Sequence, residues 1–562
     1  MSMAIKKAVT GTVAGLLTIL LVLGLSGCDR QPAATLLQGV FTKNGIVLTG
    51  NEMQPQKINM KVNGQEKPVN WHYEGGRTVA IPEDWQRGAN YELNVDGQTW
   101  SASAPEKPGT FVRAVVGLGS LEDIASIQEW APQVYEETAV SADGQYVAVA
   151  SFDHTVYMYD KAGKKLWDYR IPSGLPVSVA FAADGATVFV GESSTDARLY
   201  AFDTVSGKLL WQYSFSEQIG SGANAQWSNR PKVRSLAVSG NKVIAAGEYR
   251  QRVIEKKGER STIVYPTKCV VASFDGRTGN KLWQYPATGV MDTGVSKIVV
   301  SDDGQKVVFS NHSWSPADKY PDGSIRVLHG QTGALAAWYQ IDVLPPYFKW
   351  VGIYDGIDLS PNGKYLVAYP SDNRVMLFDL SAVDMSGAAK MLTPLWLRQA
   401  SRVHDISGIP VYASGNAAHV TNDGTVYLMT GLTYLADKTA AAAPPFSHPD
   451  ASTLFAYNNQ GELLWKWQTE GGIGKVRFSA DSRYMVAAVF HDYVTRKKER
   501  AGVYCFDFQN AGADSFAWFY PMEGIGVAAA IAGDGTTVAA CEAPIRMENA
   551  VAAGQHRLHI LQ

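Results

Sequence analysis

The chain has 562 residues and a formal net charge of −3, with 46% hydrophobic and 18% charged residues. This length exceeds that of one ordinary domain, unless the chain is a large repeat fold. The near-neutral charge includes no basic stripe of the kind that marks nucleic-acid-binding proteins, so we expect no nucleic acid among the partners.

The first 27 residues have the layout of a secretory signal. Lys6 and Lys7 precede an apolar run over residues 8–25, and the small residues Ser26 and Gly27 follow it. A charged start, an apolar middle and a small-residue end are the three parts of such a signal. The alternative, an uncleaved membrane helix, is disfavoured because the run is at the short end for a spanning helix and glycine stands at both ends.

The sequence Leu25-Ser26-Gly27-Cys28 resembles the lipobox of bacterial lipoproteins. The resemblance implies that Cys28 is lipidated on sulfur and becomes the new N-terminus, so that residues 28–35 form a tether. Asp29 resembles the signal that retains enterobacterial lipoproteins in the inner membrane. Because stable anchoring requires more than one acyl chain, a multiply acylated cysteine would satisfy it. These resemblances imply a lipid-anchored envelope protein that faces the periplasm.

Residues 36–104 are predicted to form a small β-sandwich. Tyr91, Leu93 and Val95 are apolar at every second position, which is the periodicity of a strand. The approach to Tyr91, Gly88-Ala89-Asn90, resembles the entry to a late strand of immunoglobulin-like domains, where a tyrosine often braces a corner. Residues 105–109 contain two prolines and are predicted to be a stiff linker.

From residue 110 to the end, a hairpin pattern repeats eight times. Each copy has a strand, a short turn and a second strand, and the turns are marked by Gly144, Gly185, Gly240, Gly304, Gly363, Gly424, Ser482 and Gly535. Asp-Gly and Asn-Gly between apolar runs are strong hairpin signals, because the tight turn needs positive φ. The repeats predict an all-β fold in which residues 110–562 form an eight-bladed β-propeller after the sandwich.

A second hairpin, with a tryptophan in its last strand, follows each of the first seven. We expect these tryptophans at the seams between blades, where one indole covers about 150–250 Å². They are Trp167, Trp211, Trp283, Trp338, Trp396, Trp465 and Trp518. The eighth repeat ends without a fourth strand, so ring closure requires a strand from before the first blade. Residues 111–117 are the candidate for this N-terminal closing strand, and the segment at Trp130 is the alternative.

The segments AFDTVSGKLLW and SFDGRTGNKLW resemble the pyrroloquinoline-quinone-like (PQQ-like) repeat, and the turns also resemble those of WD-type propellers. The resemblance covers roughly residues 135–562. The tethered propeller of the outer-membrane barrel-assembly machinery is similar in anchor and repeat type. This chain is much longer and carries an extra N-terminal domain, so that function is not transferred to it.

The long insertions fall in the second connection of a blade or in the crossover to the next blade. Both kinds of connection lie at the same end of the sheets, so the insertions are predicted to lie on one face of the propeller. Loops on a rigid scaffold commonly carry binding residues. Two basic segments, residues 250–260 and 495–500, are also expected there. Exposed aromatic residues suit a protein interface, and the candidates on this face are Trp227, Trp314, Tyr320, Tyr347, Phe348, Trp350, Tyr354 and Phe446.

A metal site at the channel mouth is a weaker hypothesis, because no ligand motif with fixed spacing is present. Its candidate ligands are Glu192, Glu248, Glu542, His312 and His491. Quinoprotein dehydrogenases with this type of repeat often carry an adjacent cysteine pair. In this chain Cys269, Cys505 and Cys541 stand far apart, within apolar strand-like runs.

We therefore expect a monomeric, membrane-anchored scaffold that binds another envelope protein and requires no cofactor. One alternative is a periplasmic oxidoreductase that depends on PQQ or a metal. The other is a module that binds cell-wall material or carbohydrate through the sandwich. No GxSxG motif or phosphate-binding loop favours an enzyme.

Overall fold

The computed structural model describes two folded parts, an N-terminal sandwich and a ring of sheets. Cys28, Asp29 and the predicted signal lie outside the described residues. The described residues are 38–42, 45–49, 55–74, 77–83, 86, 89–103, 112–118, 137–172, 174–223, 229–258, 260–312, 323–344, 351–385, 387–436, 447–469, 471–490, 501–509, 515–546 and 552–562. No helix in this part of the chain is long and apolar enough to cross a membrane.

The N-terminal part has two four-stranded sheets that share one core. The first sheet has the order β1 (Gln38–Thr42), β2 (Gly45–Thr49), β6 (Arg77–Pro82) and β5 (Val69–Glu74). The second has the order β4 (Gln65–Lys67), β3 (Ile58–Val62), β7 (Asn90–Val95) and β8 (Gln98–Ser103). Tyr91 is fully buried between them, and its hydroxyl accepts a hydrogen bond of 2.7 Å from the backbone N–H of Gln86. This bond braces the corner before β7, as the sequence predicted.

The remaining strands of the described residues form antiparallel four-stranded groups, here called sheets and numbered along the chain, of which sheets 2 and 3 are joined through the single pair Ser193 and Lys232. Sheet 1 is β10 (Glu137–Val140), β11 (Tyr146–Ala150), β12 (Thr155–Asp160) and β13 (Lys165–Arg170). Sheet 2 is β14 (Leu175–Phe181), β15 (Thr187–Ser193), β16 (Arg198–Asp203) and β17 (Leu209–Ser214). Sheet 3 is β18 (Lys232–Ser239), β19 (Lys242–Arg250), β22 (Thr267–Asp275) and β23 (Lys281–Tyr285). Sheet 4 is β24 (Gly294–Val300), β25 (Lys306–His312), β26 (Ser324–His329) and β27 (Leu335–Gln340).

The second half of the ring repeats this plan. Sheet 5 is β28 (Ile357–Leu359), β29 (Tyr365–Ala368), β30 (Arg374–Asp379) and β32 (Trp396–Gln399). Sheet 6 is β34 (Ile409–Val420), β35 (Val426–Leu435), β36 (Thr453–Tyr457) and β37 (Leu463–Gln468). Sheet 7 is β38 (Gly472–Phe478), β39 (Tyr484–Phe490), β40 (Gly502–Asp507) and β41 (Phe516–Pro521). Sheet 8 is β42 (Ile525–Ile531), β43 (Val538–Ala543), β46 (Arg557–Leu561) and β9 (Val112–Gly117).

Short elements extend four of these sheets. In sheet 3, β20 (Val253–Lys257) and β21 (Arg260–Val264) form a hairpin that we call the arm. Helix α1 (Ser216–Ile219) lies in the crossover before that sheet. Strand β31 (Lys390–Met391) pairs in parallel with β27, and β33 (His404–Ile406) extends sheet 6. The hairpin of β44 (Ile545–Arg546) and β45 (Ala552–Ala553) follows β43.

The sheets close into a ring, and the fold is a β-propeller. The first strand of each sheet contacts the first strand of the next sheet, from β10 in sheet 1 to β42 in sheet 8. Strand β42 in turn contacts β10, which completes the ring. Second strands are buried on both faces, since neighbouring sheets cover each side, and their sequences are nearly continuous apolar runs. Strand β9 pairs antiparallel with β46, so the candidate closing strand is confirmed, and the alternative segment at Trp130 lies outside the described residues.

Four of the predicted seam tryptophans connect one sheet to the next by an indole hydrogen bond. Trp211 of β17 donates its indole N–H to the carbonyl of Gly276, in the last turn of sheet 3, at 2.8 Å. The same turn holds Gly279 at positive φ, where a Cβ would lie 2.7 Å from the indole. Equivalent bonds run from Trp167, Trp283 and Trp396. Of the others, Trp465 lies 6.0 Å from Phe508 of sheet 7, and Trp518 packs between sheets 7 and 8. Trp338 lies one residue past the position predicted for it, because Ala337 is the residue that pairs with Val327 at this seam, and the backbone of Trp338 pairs with β31.

The closing seam, like the seam after sheet 4, has alanine at the position where the other seams have tryptophan. Ala114 of β9 pairs with Ile560, just as Trp167 pairs with Met158 in sheet 1. Gly163, in the last turn of sheet 1, lies so close to Ala114 that a Cβ there would clash. The eighth seam is therefore made by close backbone approach instead of by an indole.

Ring closure by β9 predicts that substitutions at two of its valines lower the free energy of unfolding by different amounts. Val112 is 7% exposed and packs between sheets 7 and 8, whereas Val115 is 48% exposed. Val112→Asp should lower unfolding stability by about 3 kcal/mol or more, because it buries an unpaired charge. Val115→Asp should cost less than about 1 kcal/mol. Thermal unfolding followed by circular dichroism measures both, and equal losses would contradict closure by this strand.

The tryptophan fastening predicts a contrast between two glycines of sheet 3. Gly279 and Gly240 both have positive φ, so alanine strains the backbone at either position. Only Gly279 contacts an indole, whereas the space around Gly240 is open to 4 Å. Gly279→Ala should therefore lower the free energy of unfolding by about 1–3 kcal/mol more than Gly240→Ala. Urea unfolding of the two variants checks this, and equal midpoints would mean that the seam contact contributes nothing.

Candidate functional site

The second connections and the crossovers leave the ring at one end of the sheets, and the first and third connections leave at the other. Of the aromatic candidates on the second-connection face, only Tyr354 belongs to the described residues. Its half-buried ring lies 5.0 Å from the ring of His312. Outside the described residues lie Trp227, Trp314, Tyr320, Tyr347, Phe348, Trp350 and Phe446, and so does the basic segment 495–500.

The arm corresponds to the other basic segment, residues 250–260. It carries apolar side chains that the ring does not cover: Val253 is 38%, Ile254 54% and Ile263 44% exposed. Arg252 and Lys256 are exposed on the same strand region. Ile254 pairs directly with Ile263 across the hairpin, so these two exposed side chains adjoin each other, and contiguous exposed apolar surface is a feature of interaction sites.

A network of charges crosses the central channel. The ammonium of Lys475 in sheet 7 lies 2.9 Å from Glu137 of sheet 1 and 3.8 Å from Asp355, which precedes sheet 5. Arg477 lies 3.8 Å from Glu137 and 4.0 Å from Asp355. Lys297 of sheet 4 adds a further cation, 3.8 Å from Asp355. The contacts of Lys475 and Arg477 connect sheet 7 with sheet 1 and with the segment before sheet 5, which are not its neighbours in the ring, so the network holds the channel together from inside.

The network also sets the ionisation of its central carboxylate. Burial raises the pKa of Asp355, but the charges of Lys475, Lys297 and Arg477 outweigh it and hold the pKa well below its ordinary value of 3.8. Asp355 is thus an anion surrounded by cations throughout the neutral range.

The three glutamates predicted to converge on a metal are each bound within their own part of the ring. Glu192 accepts hydrogen bonds from Ser194 at 2.5 Å and from the hydroxyl of Tyr200 at 2.8 Å. Glu542 contacts His559 at 2.9 Å and accepts a bond from the N–H of Gly524 at 2.5 Å. No group of three or more His, Cys, Asp or Glu side chains that could hold a metal occurs in the described ranges, and His491 lies outside them.

Glu248 is paired with cations from its own sheet. Lys232 lies 3.7 Å and Arg250 3.4 Å from its carboxylate. Burial raises the pKa of Glu248, but these two cations outweigh it and the pKa is lowered. Nearby, burial lowers the pKa of His312 to about 4, so this imidazole is neutral at physiological pH.

A cluster that sequence reasoning missed joins sheets 5, 6 and 7. The Nδ1 atom of His419 lies 2.6 Å from Oδ2 of Asp358, and its Nε2 atom lies 2.9 Å from the hydroxyl of Ser482. Asp358 and His419 occupy the second position before the first turn of their sheets, where most sheets have a small apolar residue. These departures from the repeat were visible in the sequence, but their contact depends on the packing of three sheets.

Comparisons with known proteins support the repeat assignment. Residues 152–343 match the family described as "Outer membrane protein assembly factor BamB", and residues 137–160 match the family described as "WD domain, G-beta repeat". The chain therefore carries PQQ-like and WD-like propeller repeats. No curated protein sequence matches the chain.

Two solved structures resemble the chain at low sequence identity. The C-terminal WD40 domain of Sif2 is 11% identical, with 76% of this chain and 94% of that chain covered and a TM-score of 0.45. BamB from Moraxella catarrhalis is 15% identical, with 80% of this chain and 100% of that chain covered and a TM-score of 0.44.

The channel network predicts a pH-dependent effect of Asp355→Asn. The variant should lose about 1–3 kcal/mol at pH 7, less than for a fully buried pair because the side chains remain partly exposed. Since the folded pKa lies below the unfolded one, the carboxylate's contribution is present above the unfolded pKa near 3.8 and is lost as pH falls towards the folded value. Urea unfolding of both proteins from pH 7 to pH 2.5 should show the difference shrinking below about pH 4. A constant difference would contradict this account.

Proposed function

We propose that the chain is a membrane-tethered scaffold of the cell envelope, which binds another envelope protein through the second-connection face of an eight-bladed propeller. The description of the family matched by residues 152–343 names an outer-membrane assembly factor, which supports a role in envelope protein assembly. A rigid ring with long connections at one end suits such a role.

The arm is the single observation that carries the proposal. The exposed side chains of Ile254 and Ile263, which pair directly across the hairpin, supply the apolar centre that a protein interface needs, whereas Val253 points to the opposite face of the hairpin. Arg252 and Lys256 would surround that centre with positive charge, so a complementary partner presents apolar side chains bordered by carboxylates. Tyr354 and the seven aromatic candidates outside the described residues would extend the interface across the same face.

The proposed arrangement at the membrane follows from the N-terminus. Lipidated Cys28 would anchor the chain, with Asp29 favouring the inner membrane, and residues 28–35 would lead to the sandwich. The brace between Tyr91 and Gln86 supports an immunoglobulin-like assignment for that sandwich. Strand β1 lies beside β41, so the sandwich rests near the outer edge of sheet 7 and leaves the arm of sheet 3 uncovered.

The alternative of a PQQ- or metal-dependent oxidoreductase finds less support. The residues do not fit a quinone site with an adjacent cysteine pair, because Cys269, Cys505 and Cys541 are buried singly in β22, β40 and β43. The candidate carboxylates Glu192, Glu248 and Glu542 are each engaged locally. Among the described residues of the sandwich, no contact favours a cell-wall or carbohydrate ligand over a structural role.

Site-specific photo-cross-linking in intact cells tests the scaffold proposal. A photoreactive amino acid at Ile254 should give one defined adduct with an envelope protein. The matched control is Val205, which is 60% exposed but lies at the opposite end of the ring, and it should give none. With the purified partner, Ile254→Asn should weaken binding at least about tenfold, which corresponds to the loss of one interface anchor.

Equal adducts from both positions, or none from Ile254, would contradict the proposed face. The same cells test the anchor independently: radiolabelled palmitate should enter the parent chain and not the Cys28→Ala variant. Label in both chains would exclude lipidation at Cys28.

A further inference from the structure

We propose that Ser482, His419 and Asp358 form a serine-hydrolase site for carboxylic esters at the first-turn end of the channel. In this site Ser482 is the nucleophile, His419 is the general base and acid, and Asp358 positions the imidazole. The two contacts, 2.9 Å from Ser482 to Nε2 and 2.6 Å from Nδ1 to Asp358, have the order and length that nucleophilic catalysis requires.

The first support is the break in the repeat. The second residue before the first turn is Ala139, Ala180, Ala237, Val299 and Ala530 in five sheets, but Asp358, His419 and Arg477 in sheets 5, 6 and 7. If this position served only to pack the sheets together, we would expect a small apolar residue there in every sheet. Three consecutive sheets instead place an acid, an imidazole and a guanidinium there.

The second support is the backbone of Ser482. The corresponding turn residue is a glycine with positive φ in other sheets, such as Gly144, Gly363 and Gly424. Ser482 has φ +60, a conformation that costs an L-residue roughly 1–2 kcal/mol. A side chain retained at such a position is a candidate for function, since strain of this kind concentrates at active sites. Here the strained residue is the one that contacts the imidazole.

The third support is the orientation of His419. Its ring stacks on Phe478 at a centroid distance of 3.8 Å and an interplanar angle of 15°. Asp358 also accepts a hydrogen bond of 3.3 Å from the backbone N–H of Val420, which fixes its carboxylate. Burial raises the pKa of Asp358, but its interactions with His419, Lys297 and the backbone N–H of Val420 together outweigh burial and lower the pKa, so the carboxyl stays ionised. The carboxylate thus favours a proton on Nδ1 and leaves Nε2 to accept one.

The cluster is shielded but not sealed. Ser482 is 9% exposed, and the side chains of His419 and Asp358 are 12% and 17% exposed. The site lies in a tight turn at the end of the ring opposite the arm, so catalysis here would not compete with a partner bound on the second-connection face.

The reaction needs only an ester and water. The Ser482 hydroxyl attacks the ester carbonyl carbon as His419 Nε2 takes its proton, and a bond forms between Oγ and carbon. The bond from that carbon to the alkoxy oxygen then breaks, and His419 returns the proton to the leaving alcohol. Water, deprotonated by the same imidazole, cleaves the acyl-enzyme and releases the carboxylic acid, which restores Ser482.

A fluorophosphonate probe and p-nitrophenyl acetate test the site on the full-length protein. The probe should modify Ser482, as located by mass spectrometry. His419→Gln should slow both labelling and ester hydrolysis at least about 100-fold, the scale of general-base catalysis. Ser482→Gly restores the residue of the repeat, so it should abolish labelling without lowering the thermal midpoint. The control Ser206→Ala, at an exposed turn serine, should label like the parent.

Two results would overturn the proposal. One is a folded parent chain that the probe does not modify at Ser482. The other is labelling of His419→Gln at the parent rate. Either result would mean that the cluster only stabilises the packing of sheets 5, 6 and 7 through hydrogen bonds. Neither result would affect the cross-linking expected from the arm.

Discussion

The pairing of β9 with β46 is the constraint on which the rest of the ring depends. It joins a strand from before the first sheet to the last strand of the chain. Every sheet is packed on both faces, so a ring opened at this point would expose apolar strands of sheets 1 and 8 together. Closure removes the two free ends of the sheet array, which would otherwise be open to aggregation. It also fixes the distance across the channel on which the charge network and the Ser482 cluster depend.

Departures from the repeat coincide with the features that suggest function. The regular parts, a positive-φ turn and an indole that donates a hydrogen bond to the next sheet, account for four of the seams. Sheet 3 departs by extending its second connection into the arm, and sheets 5 to 7 depart by placing Asp358, His419 and Arg477 at the channel. The arm adds no packing to the ring, so binding is the simpler physical explanation for that departure, whereas Arg477 and His419 also contribute contacts inside the channel. The arm and the cluster lie at opposite ends of the ring, which is compatible with a partner at one end and a reaction at the other.

Local pattern predicted the elements well, because turns and strands depend on neighbours in the chain. The Asp-Gly turns, the four-stranded repeat, the closing strand and the brace of Tyr91 all follow from such patterns. The sites were harder because they depend on which side chains meet across sheets. Glu192, Glu248 and Glu542 occupy similar positions, yet each finds its own partners, such as Tyr200 or Lys232, so they do not converge. The contact between His419 and Ser482 spans two sheets and no sequence motif records it.

Hydrogen–deuterium exchange of the intact protein tests ring closure most directly. The closed ring predicts that amides of residues 112–117 exchange as slowly as those of residues 557–561, with which they pair, and far more slowly than those of the arm at residues 253–264. If residues 112–117 exchanged as fast as the arm while β46 stayed protected, the N-terminal strand would not close the ring. The proposal that a partner binds at one end of the ring and a reaction takes place at the other would then have no structural support.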